Sequence, residues 1–207
     1  NYIWISGNES MFKGCYKLPP AHYISYNKTT GLKLVKYWEL QDNTGNKTSS
    51  NIDSIAADVA DTMESSVKRH MVADVPVSCF LSGGLDSSLI SVLAKKSNDH
   101  LSTYTIGTDD KDKKAESMPD DEKYANMLAG LFNLDHNVIK ISPDILKDLP
   151  AMVKSLDEPI GDPAAINTYL ICKAARDKGV KVLLSGMGAD EIFFGYRRQK
   201  ATMMAQR

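Results

Sequence analysis

The amino-acid sequence predicts an α/β fold, a doubly wound parallel sheet with flanking helices, preceded by a short β-rich segment. From residue 77 onward, short apolar runs rich in β-branched residues alternate with longer stretches whose apolar residues recur at helical spacing. Strands separated by helices indicate parallel crossover connections, with helices covering both faces of the sheet. The hydrophobic fraction of 43% provides enough apolar surface for the core of such a sheet.

The first forty residues have a different pattern. Aromatic and β-branched runs, Tyr2–Ile5 and His22–Tyr26, are separated by glycines and by Pro19–Pro20, which is typical of strands and turns. Hairpins of this length bury little surface on their own. We therefore interpret residues 1–40 as the C-terminal remnant of a β-rich domain, and the polar residues 41–52 as a linker.

Residues 53–207 make up the predicted α/β domain. Apolar residues on one helical face predict a first helix from Ile52 to Met71, with Asp53 or Ser54 as its cap. The predicted strands are 77–81, 103–106, 137–141 and 180–184, and the helices that follow the strands or separate them are at about 87–97, 121–133, 143–156 and 164–178. The charged stretch from Thr108 to Glu122 has no hydrophobic period and is consistent with a solvated loop or a flap over a site.

Charge and composition exclude two classes of partner. Lys and Arg number 25 against 26 Asp and Glu, so there is no excess of cations to hold a nucleic acid. The apolar runs are far shorter than the ~20 residues of a membrane span, and no signal sequence is apparent. The separated Cys15, Cys79 and Cys172 indicate neither a disulfide framework nor a zinc site, and Cys79 and Cys172 are expected to be small buried side chains. We expect a cytoplasmic protein without nucleic-acid or membrane partners.

Two of the predicted strands end alike. Ser82–Ser88 (SGGLDSS) follows the first strand, and Ser185–Glu191 (SGMGADE) follows the last. Glycines let the backbone approach a ligand closely, and the free N–H groups of a following helix offer donors to an anion. One such turn is equally consistent with an ordinary connection whose acid caps the helix. Two matching turns in one sheet favour a phosphate site.

The acids in these turns indicate a metal ion. No GxxxxGK[ST] loop occurs in the chain to supply a lysine, and the turns carry Asp86, Asp190 and Glu191 instead. Carboxylates beside phosphates require a hard cation between them, and Mg²⁺ typically takes one or two protein carboxylates plus phosphate oxygens. If the two strands are neighbours, Asp86 and Asp190 can share one nucleotide-bound Mg²⁺ at the carboxyl ends of the strands.

These segments resemble those of a known enzyme family. Ser82–Ser87 resembles the PP-loop of the ATP pyrophosphatases, whose fold is of the adenine nucleotide alpha hydrolase type, and together with Leu184–Tyr196 it resembles the synthetase domain of glutamine-hydrolysing asparagine synthetases. Glu158–Pro163 is similar to the segment before the family's helix that leads to that strand. Lys17–Tyr23 and Lys36–Trp38 resemble the closing strands of the family's N-terminal glutaminase domain. The resemblance spans nearly the whole chain.

The resemblance implies an ATP-dependent ligase. A small-molecule carboxylate, aspartate or an analogue, attacks the α-phosphate of ATP, pyrophosphate leaves, and ammonia from a glutaminase domain of the same full-length chain displaces AMP to give the amide. The implied ATP-binding residues are Leu81, Ser82, Gly83, Gly84, Ser87, Ser88, Ile106, Ser185 and Gly186. The implied catalytic residues are Asp86, Asp190 and Glu191, the two aspartates as Mg²⁺ ligands. The resemblance leaves open whether the protein is a homodimer.

Three departures from the family pattern keep alternatives open. The family's glutaminase nucleophile is an N-terminal Cys, whereas this chain begins with Asn1, so we expect no glutamine hydrolysis on this chain. Met187 stands where asparagine synthetases often have an acid, and a thioether neither accepts a proton nor pairs with ammonium. This leaves open amidation of another carboxylate, such as a sugar acid, or nucleotide binding without catalysis. The chain ends at Arg207, before the family's C-terminal helices, so we expect an inactive fragment. An α/β scaffold without nucleotide would require both turns to be coincidental.

Overall fold

The computed structural model describes residues 3–41, 51–107, 121–140 and 145–205. Its strands are β1 (His22–Asn27), β2 (Gly31–Lys36), β3 (Val77–Phe80), β4 (Ser102–Gly107), β5 (Asp135–Lys140) and β6 (Val182–Leu184). Its helices are α1 (Ile52–His70), α2 (Leu85–Lys95), α3 (Asp121–Phe132), α4 (Leu149–Ser155), α5 (Ala164–Asp177), α6 (Ala189–Phe193) and α7 (Arg197–Ala205), with a 3-10 turn at Ile145–Lys147. None of these helices is long and apolar enough to cross a membrane.

Four parallel strands form the central sheet, in the order β5-β4-β3-β6. From β3 the chain adds β4 and then β5 on one side, and it returns to add β6 on the other side. The strand order therefore reverses between β3 and β6, which pair directly, with Cys79 opposite Leu184. Ligands of doubly wound sheets bind beyond the carboxyl ends of the strands at this reversal, and both glycine turns follow strands that end there.

The sheet has a hydrophobic core on each face. Side chains alternate along a strand, so Cys79 and Phe80 of β3 point to opposite faces. Cys79 packs with residues of α1, α2 and α3, whereas Phe80 packs with Tyr104 of β4 and Ile171 of α5. Burial on both faces is what a parallel sheet with helices on each side requires. The predicted α/β class, with its doubly wound sheet, is confirmed.

The first helix begins where the periodicity predicts, but its cap is a different residue. The side-chain oxygen of Asn51 accepts hydrogen bonds from the backbone N–H groups of Asp53 (2.8 Å) and Ser54 (3.0 Å). The predicted cap at Asp53 or Ser54 is therefore wrong by two or three positions. An N-cap side chain bonds to N–H groups two and three residues ahead, so the capping residue must precede the first turn.

Two other expectations require correction. The helix predicted at about 143–156 consists of the 3-10 turn at Ile145–Lys147 and then α4, which carries a proline in its first turn, Pro150. Proline lacks an N–H and is tolerated in a helix only near its start. In the run Tyr2–Ile5, the described residues Ile3–Ile5 are not a strand. The expected linker and charged stretch fall mainly at 42–50 and 108–120, outside the described residues.

The cysteines differ in their burial. Cys79 is fully buried in the sheet, as predicted, and burial raises the pKa of its thiol to about 11. Cys172 is exposed, so the expectation that it is buried is wrong. Its helix, α5, packs through Ile171 and Ala175, which places position 172 on a different side of the helix.

Candidate nucleotide site

The first glycine turn, between β3 and α2, is held together by serine hydroxyls. Ser87 Oγ accepts a hydrogen bond from the Ser82 N–H at 3.1 Å, lies 2.9 Å from Ser82 Oγ, and donates to the Gly84 carbonyl oxygen at 3.2 Å. Gly84 is the N-cap of α2 and has no side chain to bond the N–H groups of the first turn. The N–H groups at the start of α2 therefore lack a side-chain cap and are placed to bind an anion.

Gly83 allows this turn to pack closely against α3. It has a φ of +71°, and a Cβ added there would lie 2.6 Å from Tyr124 Cβ and 2.9 Å from the Asp121 carbonyl oxygen. Both the left-handed backbone and the close approach exclude a larger residue. Gly83 therefore fixes the position of the turn from the side of α3.

The second glycine turn, between β6 and α6, touches the first turn backbone to backbone. A Cβ added at Gly186 would lie 2.6 Å from the Ser87 nitrogen and 2.8 Å from the carbonyl carbon of Asp86. Ser185 Oγ accepts a hydrogen bond from the Met187 N–H at 3.1 Å, which tightens this turn. The two motifs, about a hundred residues apart in the sequence, thus form one surface.

Two cavities that share part of their walls lie against this surface, and we call these two the larger and the smaller cavity. The larger, of about 370 Å³, is lined by both turns and by α5: Phe80, Ser82, Gly84, Asp86, Ser87, Ala164, Asn167, Thr168, Ile171, Ser185, Gly186 and Met187. The smaller, of about 210 Å³, is lined by Phe80, Leu81, Ser82, Tyr104, Thr105, Ile106, Asp121, Asn167 and Ile171. They share Phe80, Ser82, Asn167 and Ile171. No lysine or arginine lines either cavity within the described part of the chain.

The ATP-binding residues implied by the sequence are distributed over both cavities. Ser82, Gly84, Ser87, Ser185 and Gly186 line the larger cavity, and Leu81, Ser82 and Ile106 line the smaller one. Gly83 and Ser88 line neither: Gly83 faces α3, and the Ser88 N–H donates to the Gly84 carbonyl oxygen at 3.1 Å within α2.

The three predicted catalytic acids have different surroundings. Asp86, in the first turn of α2, lines the larger cavity, whereas Asp190 and Glu191, in the first turn of α6, do not line either one. The Asp190 carboxylate lies against Gly195, where an added Cβ would be 1.7 Å from Oδ1. The described residues include no cluster of three or more His, Cys, Asp or Glu that could hold a metal. A metal between Asp86 and Asp190 would therefore depend on oxygen atoms from a ligand.

Glu191 has a specific partner. The Tyr196 hydroxyl donates a hydrogen bond to Glu191 Oε1 at 2.5 Å, and this bond holds the pKa of Glu191 below its usual value. The guanidinium of Arg198 lies 4.3 Å from the centre of the Tyr196 ring. The hydrogen bond stabilises the ionised form of Glu191 and restrains its side chain.

Asn167 and Thr168 of α5 were not identified from the sequence, although both line the larger cavity and Asn167 lines the smaller one as well. The periodicity of residues 164–178 predicts the helix correctly. It does not show which side faces the carboxyl ends of the strands, because that depends on how α5 packs on the sheet. The only available signal is that two adjacent polar side chains interrupt the mainly apolar first turns of this helix.

The chain is similar to curated proteins of one family. The family model described as "Asparagine synthase" matches residues 58–207. Asparagine synthetase [glutamine-hydrolyzing] 1 of Bacillus subtilis is 41% identical over 145 residues, 70% of this chain and 22% of that protein. Asparagine synthetase [glutamine-hydrolyzing] 3 of the same organism is 33% identical, with 90% and 31% covered. Amidase chyE of Penicillium rubens is 25% identical, with 98% and 32% covered.

The chain thus spans about a fifth to a third of the length of these curated relatives. Among solved structures, it is similar to an NH3-dependent NAD synthetase from Campylobacter jejuni in complex with the nitrate ion, with a TM-score of 0.45 and 18% identity over 68% of this chain and 60% of that one. The family model matches well over half of the chain and includes both glycine turns. The chain belongs to the asparagine synthase family.

Proposed function

We propose that this chain contains the ATP site of an amide-forming ligase, which adenylates a substrate carboxylate, releases pyrophosphate, and lets ammonia displace AMP. The observation that carries this proposal is the contact between the two glycine turns, where Gly186 meets the backbone of Asp86 and Ser87 beside the larger cavity. This contact lies where the strand order reverses, the usual ligand position in doubly wound sheets. Membership of the asparagine synthase family supports ATP-dependent ligase chemistry.

The larger cavity is the proposed phosphate site and the smaller one the proposed adenosine site. The N–H groups at the start of α2 and the hydroxyls of Ser82 and Ser87 would bind phosphate oxygens. Leu81 and Ile106 would contact the adenosine, and Ser185 and Gly186 would contact the nucleotide through their backbone. Gly83 and Ser88 are proposed to support this loop rather than to line it.

Asp86 and Asp190 are the proposed Mg²⁺ ligands. A helix N-terminus contributes only about 0.3–1 kcal/mol at an exposed site, and no described lysine or arginine lines the cavities. A polyphosphate therefore needs another source of positive charge. Two carboxylates in the first turns of α2 and α6, completed by phosphate oxygens, are the kind of ligand set that Mg²⁺ takes. When bound, the ion would neutralise charge on the departing pyrophosphate.

The remaining catalytic task of the chain is positioning. A carboxylate is a competent nucleophile once it is aligned and stripped of water, so the rate depends on how rigidly the α-phosphate and the acceptor are held. The hydroxyl contacts of Ser82 and Ser87 supply that rigidity on the phosphate side. Glu191, which accepts a hydrogen bond from Tyr196, is suited to pair with a cationic group of the acceptor or with ammonium, and we propose this role for it.

The proposed acceptor is aspartate, which would place the protein in asparagine biosynthesis, and one observation favours a second candidate. The Met187 side chain lines the larger cavity and also a neighbouring cavity of about 630 Å³ between α4 and α5. That neighbouring cavity has apolar walls that include Met152, Leu156 and Ile160. Space and apolar lining beyond Met187 favour a carboxylate larger than aspartate.

The proposal includes the source of ammonia and the domain arrangement. Residues 1–40 would end a glutaminase-type domain of the same full-length chain, 41–52 would be a linker, and 53–207 would be the synthetase domain of a cytoplasmic enzyme. The antiparallel pairing of β1 with β2, His22 opposite Lys36, supports the β-rich character of the first part. The family model begins at residue 58, close to the proposed start of the synthetase domain.

The direct test is release of pyrophosphate and AMP from Mg·ATP. The natural protein, with any flanking residues retained, would be supplied with ammonia and a panel of carboxylates that includes aspartate and sugar acids. We expect carboxylate-dependent pyrophosphate release in the wild type and loss of at least 10²-fold in Asp86→Asn, because one Mg²⁺ ligand is removed. Asp74→Asn is the matched control, since Asp74 is exposed and precedes β3 at the opposite end of the strand.

Two results would contradict the proposal in different ways. Binding of Mg·ATP without AMP formation, with every carboxylate on the panel, would leave a nucleotide-binding domain without catalysis. Equal activity of Asp86→Asn and Asp74→Asn would remove Asp86 from the metal site. Preference for a larger acid over aspartate would select the second acceptor.

A further inference from the structure

Residues 3–17, the N-terminal segment, contact the loop that precedes α5. The Lys17 ammonium donates hydrogen bonds to Glu158 Oε1 at 3.0 Å and to the Ile5 carbonyl oxygen at 2.7 Å. The backbone N–H of Gly161 donates to the Ile3 carbonyl oxygen at 2.7 Å. One ion pair and one backbone hydrogen bond thus join two parts of the chain that lie far apart in the sequence.

Contacts within the N-terminal segment hold Lys17 in place independently of Glu158. The segment folds back on itself through an antiparallel bridge between Glu9 and Tyr16, and the Lys17 N–H donates to the Asn8 carbonyl oxygen at 2.8 Å. The side chains of Lys17 and Glu158 are only 34% and 27% exposed. An ion pair whose lysine is already fixed and partly shielded from water loses less to entropy and screening than a surface pair does.

The loop that contains Glu158 determines where α5 begins. Asp162 Oδ1 accepts a hydrogen bond from the Ala164 N–H at 2.9 Å, and the Asp162 carbonyl oxygen accepts one from the Ala165 N–H at 3.1 Å. The first turns of α5 then present Asn167 and Thr168 to the larger cavity. A displacement of the loop would therefore move residues that line the proposed nucleotide site.

We propose that the N-terminal segment positions α5 relative to the glycine turns, with Lys17 and Glu158 as positioning residues. Neither residue lines the cavities. They act through the loop at 158–163, which connects the ion pair to the start of α5. The expected effect on ATP rests on the proposed function, whereas the expected effect on the loop does not.

The test replaces Lys17 by methionine in the natural protein, with any flanking residues retained. Lys13→Met is the matched control, because Lys13 is an exposed lysine in the turn of the same segment. Hydrogen exchange of the amides in residues 157–168 is measured without nucleotide, and Mg·ATP binding is measured by titration. In Lys17→Met we expect exchange in this stretch to be about three- to tenfold faster, and the dissociation constant for Mg·ATP to rise by a similar factor. Lys13→Met is expected to leave both unchanged.

A second variant guards against a general loss of folding. In the double variant Lys17→Glu with Glu158→Lys, the ion pair is restored with reversed charges but the hydrogen bond to the Ile5 carbonyl is not, and we expect exchange and ATP binding to return part of the way to wild type. Equal exchange in Lys17→Met and Lys13→Met would overturn the proposal. Faster exchange with unchanged ATP affinity would overturn the positioning role and leave a purely structural contact. If the wild type itself does not bind Mg·ATP, the proposed function fails, and the exchange measurement alone decides whether the segment holds the loop.

Discussion

Replacement of Gly186 by alanine tests whether the contact between the two glycine turns is required. The added Cβ would lie 2.6 Å from the Ser87 nitrogen and 2.8 Å from the Asp86 carbonyl carbon. Non-bonded heavy atoms are at their optimum at about 3.5–4.0 Å, so one of the two turns has to move by roughly 1 Å. Both neighbouring atoms belong to the backbone, so no side-chain rotation can relieve the clash.

The magnitude follows from that displacement. Overpacking of this kind costs about 1–3 kcal/mol in the free energy of unfolding. The displaced atoms begin α2, whose N–H groups and Ser87 hydroxyl are the proposed phosphate ligands. A misplacement of about 1 Å at a catalytic centre can cost on the order of 10²-fold in rate. We therefore expect Gly186→Ala to lower carboxylate-dependent pyrophosphate release by about 10- to 100-fold.

The assay compares Gly186→Ala with Gly130→Ala in the natural protein. Gly130 lies within α3, and a Cβ added there meets nothing within 4 Å. Alanine at this helical position is expected to stabilise by about 0.5–1 kcal/mol. Chemical denaturation gives the free energy of unfolding, and coupled detection of pyrophosphate gives the rate. Wild-type stability and wild-type ATP binding in Gly186→Ala would refute the close contact of the two turns.

Three further predictions concern single side chains. Ser87→Ala removes the hydroxyl that closes the first turn, so Mg·ATP affinity should fall about tenfold in titration, whereas the buried Ser91→Ala in the same helix should leave it unchanged. Tyr196→Phe removes the hydrogen bond that lowers the Glu191 pKa. When the rate of pyrophosphate release is measured against pH, the loss of activity on the acidic side should therefore begin at a higher pH. An unchanged pH profile would exclude a role for ionised Glu191. Burial lowers the pKa of His136 from its reference of 6.5, so the unfolded chain binds more protons than the folded one as the pH falls. The free energy of unfolding should therefore decrease below about pH 6.5. His136→Gln should weaken this pH dependence in denaturation measurements.

Much of the fold could be predicted because local pattern and tertiary position agree. The strands β3 and β6 are short, mainly apolar runs, and β4 is rich in β-branched and aromatic residues, because both faces of the sheet are covered. The helices between them show the periodicity of one buried side. The two glycine turns could be recognised for a related reason. Close approach of two backbones excludes side chains, so the requirement at Gly83 and at Gly186 is visible in the residue type itself.

The features that could not be predicted depend on contacts between distant segments. Nothing in Ile3 or Lys17 indicates that they meet Gly161 and Glu158, because an ion pair leaves no periodic signal in the sequence. The same holds for Asn167, whose place between the two cavities depends on how α5 packs on the sheet. The strand predicted from the apolar run Tyr2–Ile5 is wrong for the same reason. The carbonyl oxygen of Ile3 accepts a hydrogen bond from Gly161 in a loop, not from a neighbouring strand.

Met187 connects the fold to the choice of acceptor. Its side chain is 87% exposed and lies where the 370 Å³ and 630 Å³ cavities meet. An exposed position contributes little to the core, so packing does not require methionine here, and an acid at this position would cost the fold little. The residue type at 187 therefore bears on the chemistry of the acceptor more than on stability. If the acceptor is aspartate, the group that receives the proton from ammonia must come from elsewhere in the protein; among the described acids, Asp86 shares the 370 Å³ cavity with Met187 and Asp162 shares the 630 Å³ cavity with it.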